Sequence, residues 1–143
     1  AKARHAARLA GMPALADDSG LCVEALGGAP GVQSARYAGE PKSDARNNEK
    51  LLAALAGRDS RAAHFVSVIV FVRHADDPQP LIAEGEWHGE IIAEQRGAGG
   101  FGYDPLFFVP AFGKTAAELE PAVKNGISHR AQALQSLLAR LRR

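Results

Sequence analysis

Three polar clusters carry side chains that can do chemistry. Asp17-Asp18-Ser19-Gly20 sets two carboxylates side by side between apolar stretches. Locally, this composition suits a turn between strands. As a site, adjacent carboxylates at the end of a buried strand can hold Mg²⁺ through oxygen ligands and polarise a water, as phosphoanhydride hydrolysis requires. The second cluster is Gly99-Gly100-Phe101-Gly102-Tyr103-Asp104-Pro105. Glycines let backbone approach a planar ligand, an aromatic ring can stack on it, and a carboxylate can accept from its N–H groups. A plain loop is the other reading. The third is Lys124-Asn125-Gly126-Ile127-Ser128-His129-Arg130, where Ser128 suits a helix N-cap. Lys124, His129 and Arg130 concentrate donors at that helix start, which suits an anion or carbonyl oxygens but disfavours the helix itself. That mismatch points to a ligand.

Other patterns fail on context. Gly97, Gly99 and Gly102 satisfy G-x-G-x-x-G, yet Tyr103-Asp104-Pro105 follows where a dinucleotide fingerprint opens a helix. Gly113-Lys114-Thr115 imitates a Walker ending, but Phe108 stands where the leading Gly belongs. His5, His64, His74, His88 and His129 show no zinc-site spacing, and neither Ser19 nor Ser128 lies in G-x-S-x-G.

The elements that must position these clusters are partly legible. A helix over residues 1–10 ends at Gly11 and Pro13. Ala14-Leu15-Ala16 and Leu21-Cys22-Val23 read as short strands around the polar break. Asp44 to Leu55 reads as a peripheral helix, with Leu51, Leu52 and Leu55 inward, Arg46, Asn47 and Lys50 outward, and Gly57 as its stop. Ala62 to Arg73 predicts a strand buried on both sides. A turn at Asp76-Asp77-Pro78-Gln79-Pro80 then leads to a second strand over Leu81 to Ile92, with Gly85 and Gly89 as bulges or bends. The last helix follows Ser128, with Ala131, Leu134, Leu138 and Leu141 at helical spacing and Arg140, Arg142 and Arg143 at its end. Together these predict an α/β single domain, a mixed, partly antiparallel sheet flanked by helices.

Composition bounds the function. The chain has 143 residues, a formal net charge of +1, and 46% hydrophobic and 23% charged residues, which describes one ordinary globular domain with one core. Seventeen Lys and Arg against sixteen Asp and Glu give no basic field for general nucleic-acid binding. Cys22 is the single cysteine, so no intrachain disulfide forms and a reducing, cytoplasmic setting is expected. No apolar run approaches the roughly 20 residues of a membrane-spanning helix, so no membrane partner is expected.

In order and spacing, Asp17-Asp18-Ser19-Gly20-Leu21, Leu26-Gly27-Gly28-Ala29-Pro30-Gly31, Ser34-Ala35-Arg36-Tyr37, Gly99 to Pro105, Gly113-Lys114-Thr115 and Ser128-His129-Arg130 resemble the inosine triphosphate pyrophosphatase family of RdgB type. The resemblance runs from Lys2 to the last helix. It implies Mg²⁺-dependent hydrolysis of deaminated purine nucleoside triphosphates (ITP, dITP, XTP) to the monophosphate and pyrophosphate by a homodimer that cleanses the nucleotide pool. Carried over, Asp18 is the metal-binding carboxylate and general base, Ser19 lies beside the substrate, and Lys2 contacts phosphate. Phe101, Gly102, Tyr103 and Asp104 match the purine pocket, and Lys124, His129 and Arg130 match residues around the nucleotide and its base carbonyls. Donors in the form of Lys, His⁺ and Arg accept the C6 carbonyl and leave adenine's amino group mispaired.

The family's first strand, its Ser/Thr-Gly-Asn-x-x-Lys loop and the acidic residue after it have no counterpart here. The expectation is therefore one domain of this type over residues 1–143 without the N-terminal phosphate-loop segment. The alternatives are a non-catalytic purine-nucleotide binding module and a pyrophosphatase for another base. Residues 27–37 mix Gly, Pro and an aromatic, and are the candidate dimer surface.

Overall fold

In the computed structural model, which describes residues 2–11 and 13–141, α1 (Lys2–Ala10) leads into β1 (Ala14–Val23) and β2 (Pro30–Gly31). Then come α2 (Asp44–Leu55), the long strands β3 (Ala62–Val72) and β4 (Leu81–Ile91), the short β5 (Phe107–Val109) and β6 (Lys114–Thr115), α3 (Pro121–Ile127) and α4 (His129–Leu141). Arg142 and Arg143 lie outside the described residues. The strands form one sheet, ordered β2-β1-β3-β4-β5-β6, with every neighbouring pair antiparallel. Helices flank it, as an α/β domain requires.

The polar break does not interrupt its strand. β1 runs unbroken through Asp17-Asp18-Ser19-Gly20, whose partners on β3 are Ile69, Val68, Ser67 and Val66. A continuous β3 ladder satisfies the backbone there whatever the side chains prefer, so tertiary pairing overrides local turn propensity. Gly20 has a separate reason to be glycine, because a Cβ there would lie 2.4 Å from the Gly31 carbonyl oxygen.

The main core fills one sheet face. Leu21, Val23, Phe65, Trp87 and Ile91 pack with Leu51 and Leu55 of α2 and with Tyr103, Leu106 and Phe107. Each fully buried leucine stabilises the fold by roughly 1.5–3 kcal/mol. The other face is only half covered, since α1 packs Ala3 and Ala7 against the Val72 end alone. β3 therefore alternates buried with half-buried residues instead of being buried on both sides.

Two further expectations change. Gly85 and Gly89 are not bulges, because the register passes through both, opposite Ser67 and Ala63. They make room: a Cβ on Gly85 would lie 2.2 Å from the His129 oxygen and 2.6 Å from the Ala133 nitrogen, and one on Gly89 2.5 Å from the Phe108 oxygen. That close approach seats α4 on its His129, Ala133 and Leu137 face, leaving Leu134, Leu138 and Leu141 at 45%, 42% and 44% exposure. The leucine periodicity is real but marks the outer side. In α2, whose bounds are as expected, Asn47 is buried with Asn48 instead of facing out.

The hairpin turn is closed by Asp77, 1% exposed, which accepts from Arg73 N and Nε at 2.9 and 3.0 Å, from an Arg73 terminal nitrogen at 3.2 Å, and from Gln79 N at 2.9 Å. These bonds, those from Arg73 first, hold its carboxyl far below the usual carboxylate range.

Candidate functional site

A cleft of about 730 Å³ opens on the α4 face of the sheet, between β1, the start of α2, the 99–104 loop, and the α3–α4 junction. It brings together Ser19, Phe101, Gly102, Tyr103, Asp104, Lys124, His129 and Arg130. Residues from distant parts of the chain thus meet in one cavity.

The 99–104 loop is not a floppy one. Asp104, 5% exposed, accepts from Phe101 N at 3.1 Å and from Lys124 Nζ at 2.5 Å. Tyr103 donates its phenolic hydrogen to the Ser34 carbonyl at 2.6 Å, and burial pushes that phenol well above its ordinary range, so it stays a donor. Gly102 donates its N–H to Asp44 at 3.0 Å and receives Asn48 Nδ2 on its carbonyl at 3.1 Å. Phe101, by contrast, is 61% exposed, with Lys124 Nζ 5.1 Å and Arg130 Cζ 5.3 Å from its ring centroid. It is the loop's exposed ring, flanked by two cations.

The donors differ from those expected. Lys124 lies in the last turn of α3, not at the start of α4, so its charge favours its own helix end and its partner is Asp104. Ser128 accepts from Ala131 N at 3.2 Å and so caps α4 as expected. His129 is not a cation at neutral pH. Burial, then the charges of Arg130 and Lys124, lowers its pKa to about 4. Its ring stacks on Phe65 at 4.9 Å and 18°, and among the described residues its Nδ1, like Ser19 Oγ, has no hydrogen-bond partner. A neutral imidazole offers one donor and one acceptor instead of two donors.

Asp17 and Asp18 do not act as a pair. Alternation along β1 sends them to opposite faces. Asp17 turns towards α4, with Oδ2 3.5 Å from Arg130 Nε. Asp18 lies on the other side with Lys2, which donates to its Oδ1 at 2.6 Å and to the Asp17 carbonyl at 3.1 Å. The Asp18 hydrogen bond raises the Lys2 ammonium above its usual range. Lys2 and Asp18 line a separate hollow of about 140 Å³ with Ala3, Ala16, Val68 and Val70. No three His, Cys, Asp or Glu among the described residues are grouped to hold a metal ion.

Sequence reasoning missed the supports. Ser34, 8% exposed, accepts from Leu21 N at 2.8 Å and donates to the Gly31 carbonyl at 2.6 Å, tying the segment under Tyr103 to β1. Asn47 accepts from Ala38 N and donates to the Ala35 carbonyl, both at 2.8 Å. One signal was available, because two successive asparagines inside a helix are poor helix formers and imply polar work elsewhere.

The Ham1 family profile matches residues 1–140. The chain is 70% identical over 141 residues to the dITP/XTP pyrophosphatase of Aromatoleum aromaticum, covering 99% of this chain and 71% of that protein. It is 69% identical over 145 residues to the protein of the same description from Ralstonia nicotianae, covering 99% and 72%. Among solved structures, a HAM1 protein from Coxiella burnetii superposes with a TM-score of 0.93 at 55% identity, over 98% of this chain and 72% of that one.

Proposed function

The chain belongs to the Ham1 family, and from that premise we propose that it hydrolyses deaminated purine nucleoside triphosphates (ITP, dITP, XTP) to the monophosphate and pyrophosphate, keeping them out of the nucleotide pool. The observation that carries this reading is the cleft, which gathers an exposed aromatic ring, two cations and unpartnered polar atoms of Ser19 and His129 in one cavity.

The purine stacks on Phe101, and Lys124 and Arg130 supply donors for oxo groups on the base. Neutral His129 can donate to a base carbonyl or accept from a base N–H, but not donate from both nitrogens. An adenine amino group facing Lys124 or Arg130 meets a second donor where an oxo group would accept, and each mispaired buried group costs about 1–3 kcal/mol.

A triphosphate whose base lies on the Ser19 side extends towards Asp18 and Lys2 on the opposite face of β1. There Lys2 binds phosphate, and Asp18 orients a water and takes its proton as the water oxygen bonds to the α-phosphorus. The bond from that phosphorus to the bridging oxygen breaks, and pyrophosphate leaves with the electron pair.

Asp18 suits Mg²⁺. The cation keeps several waters and takes one or two carboxylates plus substrate phosphates, and Asp18 is exposed, with Lys2 on Oδ1. When bound there, the metal supplies charge neutralisation for the departing pyrophosphate. The enzyme acts in the cytoplasm as a homodimer, with residues 27–37, including Val32 at 95% exposure, at the interface. Light scattering on the purified protein reads that assembly directly.

Pyrophosphate release from ITP, measured with Mg²⁺ on the full-length protein and its Asp18→Asn variant, tests the assignment. The variant is expected to fold and not turn over. Normal turnover by it removes Asp18 as base and metal ligand.

A further inference from the structure

α2 holds the loop beneath Phe101. Asp44 and Asn48 stand one turn apart on the same side of this helix and take both backbone polar groups of Gly102, its N–H going to Asp44 Oδ2 at 3.0 Å and its carbonyl to Asn48 Nδ2 at 3.1 Å. Gly102 follows the stacking residue directly. The position of the Phe101 ring between Lys124 and Arg130 therefore depends on where α2 holds the next peptide.

Asn48 is 3% exposed and lies outside the cleft lining. Burying an amide in a helix costs stability unless its hydrogen bonds are made; Asn48 Oδ1 has no partner among the described residues, and the bond from Nδ2 to Gly102 is the link this side chain has to the site. Asn47, its neighbour, holds residues 35 and 38. One helix thus ties down two segments of the cleft wall.

We propose that Asp44 and Asn48 are positioning residues that fix the Phe101 ring for the purine base, an inference that rests on the nucleotide-hydrolysing role described above. They act through the Gly102 peptide and not on the reacting phosphorus. Their loss weakens binding and leaves the chemical step intact.

The test uses full-length protein, with pyrophosphate release from ITP and Mg²⁺ in one arm and calorimetric binding of ITP without metal in the other. Asp44→Ala and Asn48→Asp are expected to raise KM and Kd about tenfold, the scale of one lost hydrogen-bond anchor, with kcat unchanged. Asp44→Asn keeps an oxygen that accepts the Gly102 N–H, and is expected to restore KM. A merely structural role lowers the folded fraction, and so apparent kcat, at constant KM. That pattern, or unchanged KM and Kd in Asp44→Ala, overturns the proposal, and the two Asp44 variants decide it if Asn48→Asp does not fold. A wild-type protein that binds ITP without releasing pyrophosphate refutes hydrolysis instead, and the binding arm still decides the anchor.

Discussion

The two sides of β1 are built differently. On the α4 side the cleft wall is cross-linked by hydrogen bonds, buried for Tyr103 on Ser34, part-buried for Asp104 on Phe101 and Lys124 and for Asn48 on Gly102, and exposed for Gly102 on Asp44. On the other side, Lys2 and Asp18 form one ion pair, with side chains 62% and 76% exposed. Exposed pairs of this kind contribute little to stability. Under the proposed function, the recognition side would be organised before the ligand arrives, whereas the Lys2–Asp18 side, wet and adjustable, would exchange an ammonium partner for phosphates and a cation.

Substitutions that separate the sides test this contrast. The largest effect belongs to Asp18→Asn, expected to cut kcat by roughly 10²- to 10⁴-fold, the range for a lost general base, with ITP binding and melting temperature unchanged. A large loss of binding in that variant would place recognition on both sides. Beneath the wall, Leu137→Ala is expected to cost about 2–5 kcal/mol of unfolding free energy, and Leu138→Ala within about 0.5 kcal/mol. Equal losses in denaturant titrations would mean that α4 is seated on another face. Phe101→Ala mirrors Asp18→Asn, because stacking is worth about 1–3 kcal/mol per base. It is expected to raise KM for ITP at least fivefold at constant kcat.

The smallest effect is a pH dependence confined to the recognition side. Free histidine titrates near 6.5, and His129 in the fold near 4. Between these values the unfolded chain takes up a proton that the native chain excludes. The His129 contribution is complete above about 6.5 and declines as the pH falls towards about 4. His129→Gln is expected to flatten the melting-temperature profile in that window relative to wild type. Parallel profiles would remove the burial argument.

What the sequence disclosed depended on how local each cause is. α2 was legible to its bounds because its leucine spacing and the Gly57 stop are contained in one stretch. The β3–β4 hairpin was legible for the same reason. Asp17 to Gly20 misled because the ladder that keeps them extended comes from β3, distant in sequence. Once that strand is known, alternation alone separates Asp17 from Asp18. The α4 leucines announced the helix but not its inward face, which is chosen by the contact of Ala133 with Gly85 that no periodicity reports. The site residues came from motif order, but the charge of His129 depended on its burial beside Phe65, and the Asn48 anchor on a contact with Gly102 across the chain.

The Asp77 turn bears on how the sheet assembles in time. A single carboxylate collecting Arg73 and Gln79 closes the connection between the two longest strands within a few residues, so the hairpin forms at small loop-closure entropy. β1 joins β3 only after a much longer loop, containing α2, has closed. The hairpin is therefore expected to nucleate folding, and β1, which carries Asp18, to dock late. Destabilising substitutions at the turn should slow refolding, whereas those in β1 should mainly speed unfolding. Stopped-flow chevrons that showed the reverse would place the nucleus on the strand bearing Asp18.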